Sequence, residues 1–131
     1  MSYQSITIVG RLGKAPEMRY SPSGDPVTSF SVATDRTYTK DAQQVKETTW
    51  FRVSVWGKMA EACNKYLDKG KLVLVTGRLI CGEGGGPRVY TTKDGKQAAS
   101  FEINADTVKF LSPATETQGE RAPDDGLDVP F

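Results

Sequence analysis

Apolar and polar residues alternate with a period of two through most of the chain. Residues 5–12 set Ile6, Ile8 and Leu12 on one side and Ser5, Thr7 and Arg11 on the other. Residues 27–37 are rich in β-branched types and place Phe30, Val32 and Thr34 together, and residues 48–56 predict a third strand. Residues 71–81, with the run Lys-Leu-Val-Leu-Val-Thr-Gly, predict a fourth. A short strand is expected near 88–92 and a last one near 97–111, joined by a tight turn at Lys93-Asp94-Gly95-Lys96. Between the first two strands, Pro16, Pro22, Gly24 and Pro26 read as turns.

One segment has a different period. From Lys58 to Lys69 the apolar residues are Met59, Ala62, Cys63, Tyr66 and Leu67, the spacing of one helix face, which puts Tyr66 in the core. Gly70 stands where a helix ends, and Glu61 with Lys65 makes a favourable pair one turn apart. About five strands with a single helix after the third predict an all-β protein with one helix, an OB-fold: a five-stranded Greek-key barrel with long hairpin loops. After residue 112 the hydrophobic pattern stops and Pro, Thr, Glu, Gln, Gly and Asp take over. The expected division is a barrel domain over 1–112 and a disordered acidic tail over 113–131.

Charge sharpens that division. The 131 residues carry a net charge of +1, but residues 1–112 carry +5 and residues 113–131 carry −4. There is no His, which removes Ser-His-Asp and Cys-His catalysis and most catalytic zinc sites. Cys63 and Cys81 are too few for a four-ligand zinc site and suggest a reducing compartment. Gly82-Glu83-Gly84-Gly85-Gly86-Pro87 lacks the Gly-Lys-Ser/Thr ending of a phosphate-binding loop and reads as a hairpin tip. The acidic residues of the barrel are scattered singly, without a pair for acid–base or two-metal chemistry. No enzyme, cofactor or metal is expected. No apolar run approaches the ~20 residues of a membrane span and the N-terminus has no signal-peptide pattern, so a cytoplasmic protein is expected.

The third strand carries the most information. Its alternation gives Phe51, Val53 and Val55 an ordinary core face and leaves Trp50, Arg52, Ser54 and Trp56 on the other. Indole rings are a poor solvent face but a good stacking platform, where a base lies on the ring and a guanidinium meets its phosphate. Cover by another layer or by a subunit interface is the competing account. Tyr38, with Arg36 and Lys40 around it, Tyr90 after Arg88, and Lys58 after Trp56 fall where loops leave the barrel. Basic residues interleaved with aromatics suit a single-stranded nucleic acid. Tyr38 and Tyr90 packing their own loops is the alternative. No recognition helix or finger spacing for duplex DNA occurs. The chain ends in Asp124, Asp125, Asp128, Val129, Pro130 and Phe131, acidic residues before an apolar end that read as a peptide ligand for a partner protein; a mere solubilising tail is the alternative, but it gains nothing from a terminal Phe.

These residues closely resemble the bacterial-type single-stranded DNA-binding proteins. The matching stretches are Ile8-Val9-Gly10-Arg11-Leu12-Gly13, Pro16-Glu17-Met18-Arg19-Tyr20, Val32-Ala33-Thr34, Glu47-Thr48-Thr49-Trp50-Phe51-Arg52-Val53, Trp56-Gly57-Lys58-Met59-Ala60-Glu61, Tyr66-Leu67-Asp68-Lys69-Gly70 and the acidic tip. The resemblance implies a homotetramer that wraps single-stranded DNA without sequence preference, in replication, recombination and repair, and recruits partner proteins through the tip. It implies base stacking by Trp50, Trp56, Tyr38 and Tyr90, and phosphate contacts by Arg52, Lys58 and Lys69. Arg88 joins the phosphate set on charge alone. Tyr38 and Tyr90 stand where better-known members carry Trp, so weaker stacking is expected there. The tail is shorter than the family's usual linker, and its Gly-Leu-Asp-Val-Pro-Phe ending departs from the more usual Asp run before Ile-Pro-Phe. An OB-fold adaptor that binds protein or a structured RNA through the same aromatic face is the rival function.

Overall fold

The computed structural model describes residues 1–112, so the expected tail over 113–131, with its tip Asp124 to Phe131, lies outside the described residues. Seven strands and one α-helix follow in the order β1 (Ile6–Leu12), β2 (Glu17–Tyr20), β3 (Pro26–Lys40), β4 (Gln43–Trp56), α1 (Lys58–Tyr66), β5 (Leu72–Ile80), β6 (Arg88–Thr91) and β7 (Gln97–Phe110). Five strands run in the order β1-β5-β7-β4-β3, and β1 pairs again with β3 at Arg11↔Ala33 and Leu12↔Val32. That second pairing closes the barrel expected from the pattern. β2 extends the edge of β3, and β6 pairs with β7.

The core is the set of inward positions that the alternation marks. Ile8, Phe30, Val32, Val53, Val55, Val73, Val75, Ile103 and Val108 are buried together. Burial of β-branched side chains on facing pleats is the main favourable term holding such a barrel. Close strand approach fixes Gly77, where an added Cβ would lie 2.2 Å from the Asn104 carbonyl oxygen. The register of β5 on β7 shifts at that point, between Thr76 and Gly77. Helix α1 packs on the barrel through Ala60 and Cys63, and the buried Thr28 hydroxyl donates to the Ala60 carbonyl at 2.6 Å. Burial raises the Cys63 thiol to about 12, so it stays protonated and acts as a small hydrophobe, whereas Cys81 is exposed.

Three local expectations are corrected. The turn-rich stretch after β1 contains a strand, β2, which folds back on the start of β3 through a turn closed by the Ser21 amide on the Asp25 carbonyl at 2.8 Å. The second and third strands of the pattern are much longer than 27–37 and 48–56, because they form one continuous hairpin with register from Val27↔Trp56 to Lys40↔Gln43. Its tip is Asp41-Ala42, both at positive φ (52° and 63°), the signature of a two-residue hairpin turn. Helix α1 ends at Tyr66 rather than at Lys69. Leu67 is extended and turns into the core, while Tyr66 is 57% exposed and rests on the ring of Phe110, with 6.1 Å between centroids.

Candidate nucleic-acid interface

Register decides which side chains share a surface. On β4, Trp50, Arg52, Ser54 and Trp56 stand opposite Ala33, Ser31, Ser29 and Val27 of β3, all on the side away from the core. Trp50 and Trp56 are 52% and 49% exposed, so the described residues leave both indoles open. Six positions separate them, which is about 20 Å at ~3.3 Å per residue. The edge of the Trp50 ring lies over Gly13, where an added Cβ would meet Cζ3 at 2.6 Å and Cη2 at 2.8 Å. Only a residue without a side chain lets the indole lie flat there. The Gly13 amide donates to the Ser31 carbonyl at 3.1 Å, which ties this seat to the strand beside Arg52.

The surface continues across β7. β4 and β7 pair in parallel from Phe51↔Phe101 to Ser54↔Asn104, and β6 pairs with β7 from Arg88↔Ser100 to Thr91↔Gln97. This arrangement places Trp50 and Arg52 on one wall and Tyr90 on the other wall of an open groove of about 430 Å³, with Ser100 and Phe101 between them. Phe101 lies in the last strand expected near 97–111, where the alternation gives it no site role. It is 51% exposed and its ring meets Phe51 at 5.9 Å, while Val53 and Ile103, two pairs further in, are fully buried. The core ends at that pair, and Phe51 emerges half-buried instead of lying inside.

The remaining candidates sit away from this groove. Lys58 opens α1 two residues after Trp56, beyond Gly57, whose φ of 75° makes the turn. Lys69 is exposed in the turn after α1, which is bonded to the end of β1 by the Gly70 amide on the Leu12 carbonyl at 2.9 Å. That turn therefore adjoins the Gly13 seat of Trp50. Tyr38 is inside β3 rather than after it, on the projecting part of the hairpin. Its pairing with Val45 puts it on the same side as Phe51 and Val53, opposite to Trp50. It is also engaged: its hydroxyl donates to Glu47 Oε2 at 3.3 Å and the Arg36 guanidinium lies 4.6 Å from its ring centre. Arg88 Nη1 is 3.8 Å from Glu102 Oε2. Arg52, Lys58 and Lys69 make no ion pair among the described residues.

Chemically, flat apolar rings beside unpaired cations on an open surface can hold an unpaired, flexible polyanion with planar groups. Among the described residues, no group of three or more His, Cys, Asp and Glu side chains could hold a metal ion. No helix among them is long and apolar enough to cross a membrane.

Residues 3–111 match the sequence model of the Single-strand binding protein family. The single-stranded DNA-binding protein of Neisseria meningitidis serogroup A is 38% identical over 120 residues, 91% of this chain. That match spans only 66% of the Neisseria protein's own length. The Thermotoga maritima single-stranded DNA-binding protein is 38% identical over 131 residues, covering 98% of this chain and 86% of its own. Among solved structures, the Plasmodium falciparum SSB in complex with ssDNA superposes with a TM-score of 0.70 at 27% identity, covering 86% of this chain and 97% of that one. A small single-stranded DNA-binding protein from Streptomyces coelicolor, at 24% identity and a TM-score of 0.69, shares the fold. With an OB barrel, an outward tryptophan strand and a family match over residues 3–111, the chain belongs to the single-strand binding protein family.

Proposed function

We propose that this protein binds single-stranded DNA without sequence preference, as a non-enzymatic protector and organiser of exposed strands in replication, recombination and repair. The observation that carries the reading is the pair of half-exposed indoles, Trp50 and Trp56, flanking Arg52 on the outer side of β4, with Tyr90 across the groove from Trp50. Trp50, Trp56 and Tyr90 stack bases, and Tyr38 adds a weaker fourth ring. Arg52, Lys58, Lys69 and Arg88 meet phosphates. Tyr90 is the better placed of the two tyrosines, since it lines the groove and Tyr38 does not. A cytoplasmic, nucleoid-associated location follows from this role.

Assembly as a homotetramer is part of the same reading. Leu79, Val89 and Phe101 are 46%, 60% and 51% exposed on neighbouring strands β5, β6 and β7, apolar area that assembly would cover. The acidic tip, Asp124, Asp125, Asp128, Val129, Pro130 and Phe131, recruits partner proteins. Because the tail carries −4 against +5 on the barrel, it also competes with DNA. Removing residues 124–131 is expected to tighten DNA binding at low salt and to abolish partner capture. Unchanged values for both would make the tail a solubiliser.

The reading is tested with the tryptophans as reporters. Titration with oligo-dT is expected to quench their fluorescence strongly, and a duplex of the same length is expected to do so weakly. Affinity should fall with salt at a slope of about −0.7 per phosphate neutralised. Equal quenching by duplex, hairpin RNA and single strands would move the assignment to the adaptor. No quenching by any nucleic acid would leave the indole face to a protein.

A further inference from the structure

The cations beside the two tryptophans and the cation beside Tyr38 are in different states. Arg52 and Lys58 carry no ion pair among the described residues. Arg36 is matched by Glu47, directly opposite it in the β3–β4 hairpin, with Nη1 3.2 Å from Oε1. The other oxygen of the same carboxylate accepts from the Tyr38 hydroxyl at 3.3 Å. Arg36 also covers one side of the Tyr38 ring, its guanidinium carbon 4.6 Å from the ring centre. One carboxylate thus neutralises the arginine and tethers the tyrosine that the arginine masks.

We propose that Glu47 is an internal counter-ion that phosphate displaces from Arg36, and that this exchange uncovers Tyr38 for a base. The inference rests on the single-strand reading above. When Arg36 leaves Glu47 for a phosphate oxygen, its guanidinium comes off the ring, while Glu47 Oε2 still holds the Tyr38 hydroxyl. The ring stays in place as its covered side opens. Both members of the pair are well exposed, with 69% and 52% of their side chains accessible. An exposed pair of this kind contributes little, so exchange for a charge-assisted phosphate bond is cheap. The Arg88–Glu102 pair is unlike it: the Glu102 side chain is only 12% exposed and also accepts from the Ser100 hydroxyl at 3.0 Å, so Arg88 would meet a phosphate while keeping its carboxylate rather than by exchanging it.

The exchange has a signature in the salt dependence of binding. An arginine that arrives with its own carboxylate brings no net charge to the phosphates, so it adds little to counterion release. Glu47→Gln keeps an oxygen for the Tyr38 hydroxyl and removes the charge. Full-length E47Q is expected to bind oligo-dT about two- to fivefold more tightly at low salt. Its log–log salt slope should steepen by about 0.7, the value for one further phosphate neutralised. Adding Arg36→Gln to E47Q should remove both gains. Glu61→Gln, an equal charge change on α1 at a residue without an ion pair among the described residues, should leave the slope where it was. A slope for E47Q equal to the unmodified protein's, or the same steepening in E61Q, overturns the proposal. Failure of the unmodified protein to bind oligo-dT at any salt instead overturns the single-strand reading itself.

Discussion

Trp50→Ala is expected to weaken binding of every single-stranded sequence by about 1–3 kcal/mol, a loss of roughly five- to 150-fold. The size follows from where the ring stands. Trp50 shares the groove with Arg52 and Tyr90, so a base laid on the indole brings its phosphate to a guanidinium that no described residue occupies. Tyr38→Ala should cost less, because that ring begins the encounter covered by Arg36 and bonded to Glu47. The same truncation at Trp50 should barely move the unfolding midpoint, since the ring is 52% exposed and its close support is a glycine. Equilibrium titrations with oligo-dT, oligo-dC and a mixed sequence check both halves. A loss confined to one base composition would contradict stacking, since every base offers a π-face. A parallel loss of stability would mean that the indole is a structural residue.

Strand alternation made the wall of the candidate interface on β4 readable, because the period of two puts two Trp and one Arg on one side of a nine-residue segment. The helix was equally plain from its 3.6-residue spacing. What the spacing misplaced was Tyr66. The helical stripe extends past the end of the helix, and where Leu67 becomes extended the stripe no longer describes one side. β2 was hidden because Glu17-Met18-Arg19-Tyr20 is short and closely bounded by Pro16 and Pro22, which look like punctuation alone. The full hairpin was hidden at its tip, where Asp41-Ala42 adopts a conformation usually signalled by glycine. With the hairpin cut short, Tyr38 read as a loop residue and its pairing side could not be assigned. The opposite wall and floor of the groove depend on β7 lying parallel to β4, a pairing between segments some 50 residues apart. Nothing in the local pattern of 97–111 distinguishes Phe101, at the rim, from Ile103, in the core.

That parallel pairing is also where stability and the proposed binding meet. It spans only four residue pairs, Phe51↔Phe101 to Ser54↔Asn104, yet it sets Trp50 and Arg52 on β4 against Tyr90 on β6. Ile103 lies at its centre, fully buried, opposite Val53 on one side and Leu79 of β5 on the other. Ile103→Ala is expected to cost about 2–5 kcal/mol, from lost burial and from the cavity left between strands whose backbones cannot close it. Against a total of about 5–15 kcal/mol for a small domain, the loss should lower the denaturant midpoint markedly with little change in its slope. Oligo-dT should recover part of the loss, because a ligand that binds only the folded barrel stabilises it in proportion to the logarithm of its concentration over Kd. Trp50→Ala should show the opposite combination, a nearly unchanged midpoint and little stabilisation by DNA. A cost below about 1 kcal/mol for Ile103→Ala would show that the site can collapse around the smaller side chain, as some core positions do. In that case the parallel seam would tolerate a smaller side chain at its centre, and Ile103→Ala should leave the affinity for oligo-dT unchanged because Trp50 and Arg52 would still face Tyr90.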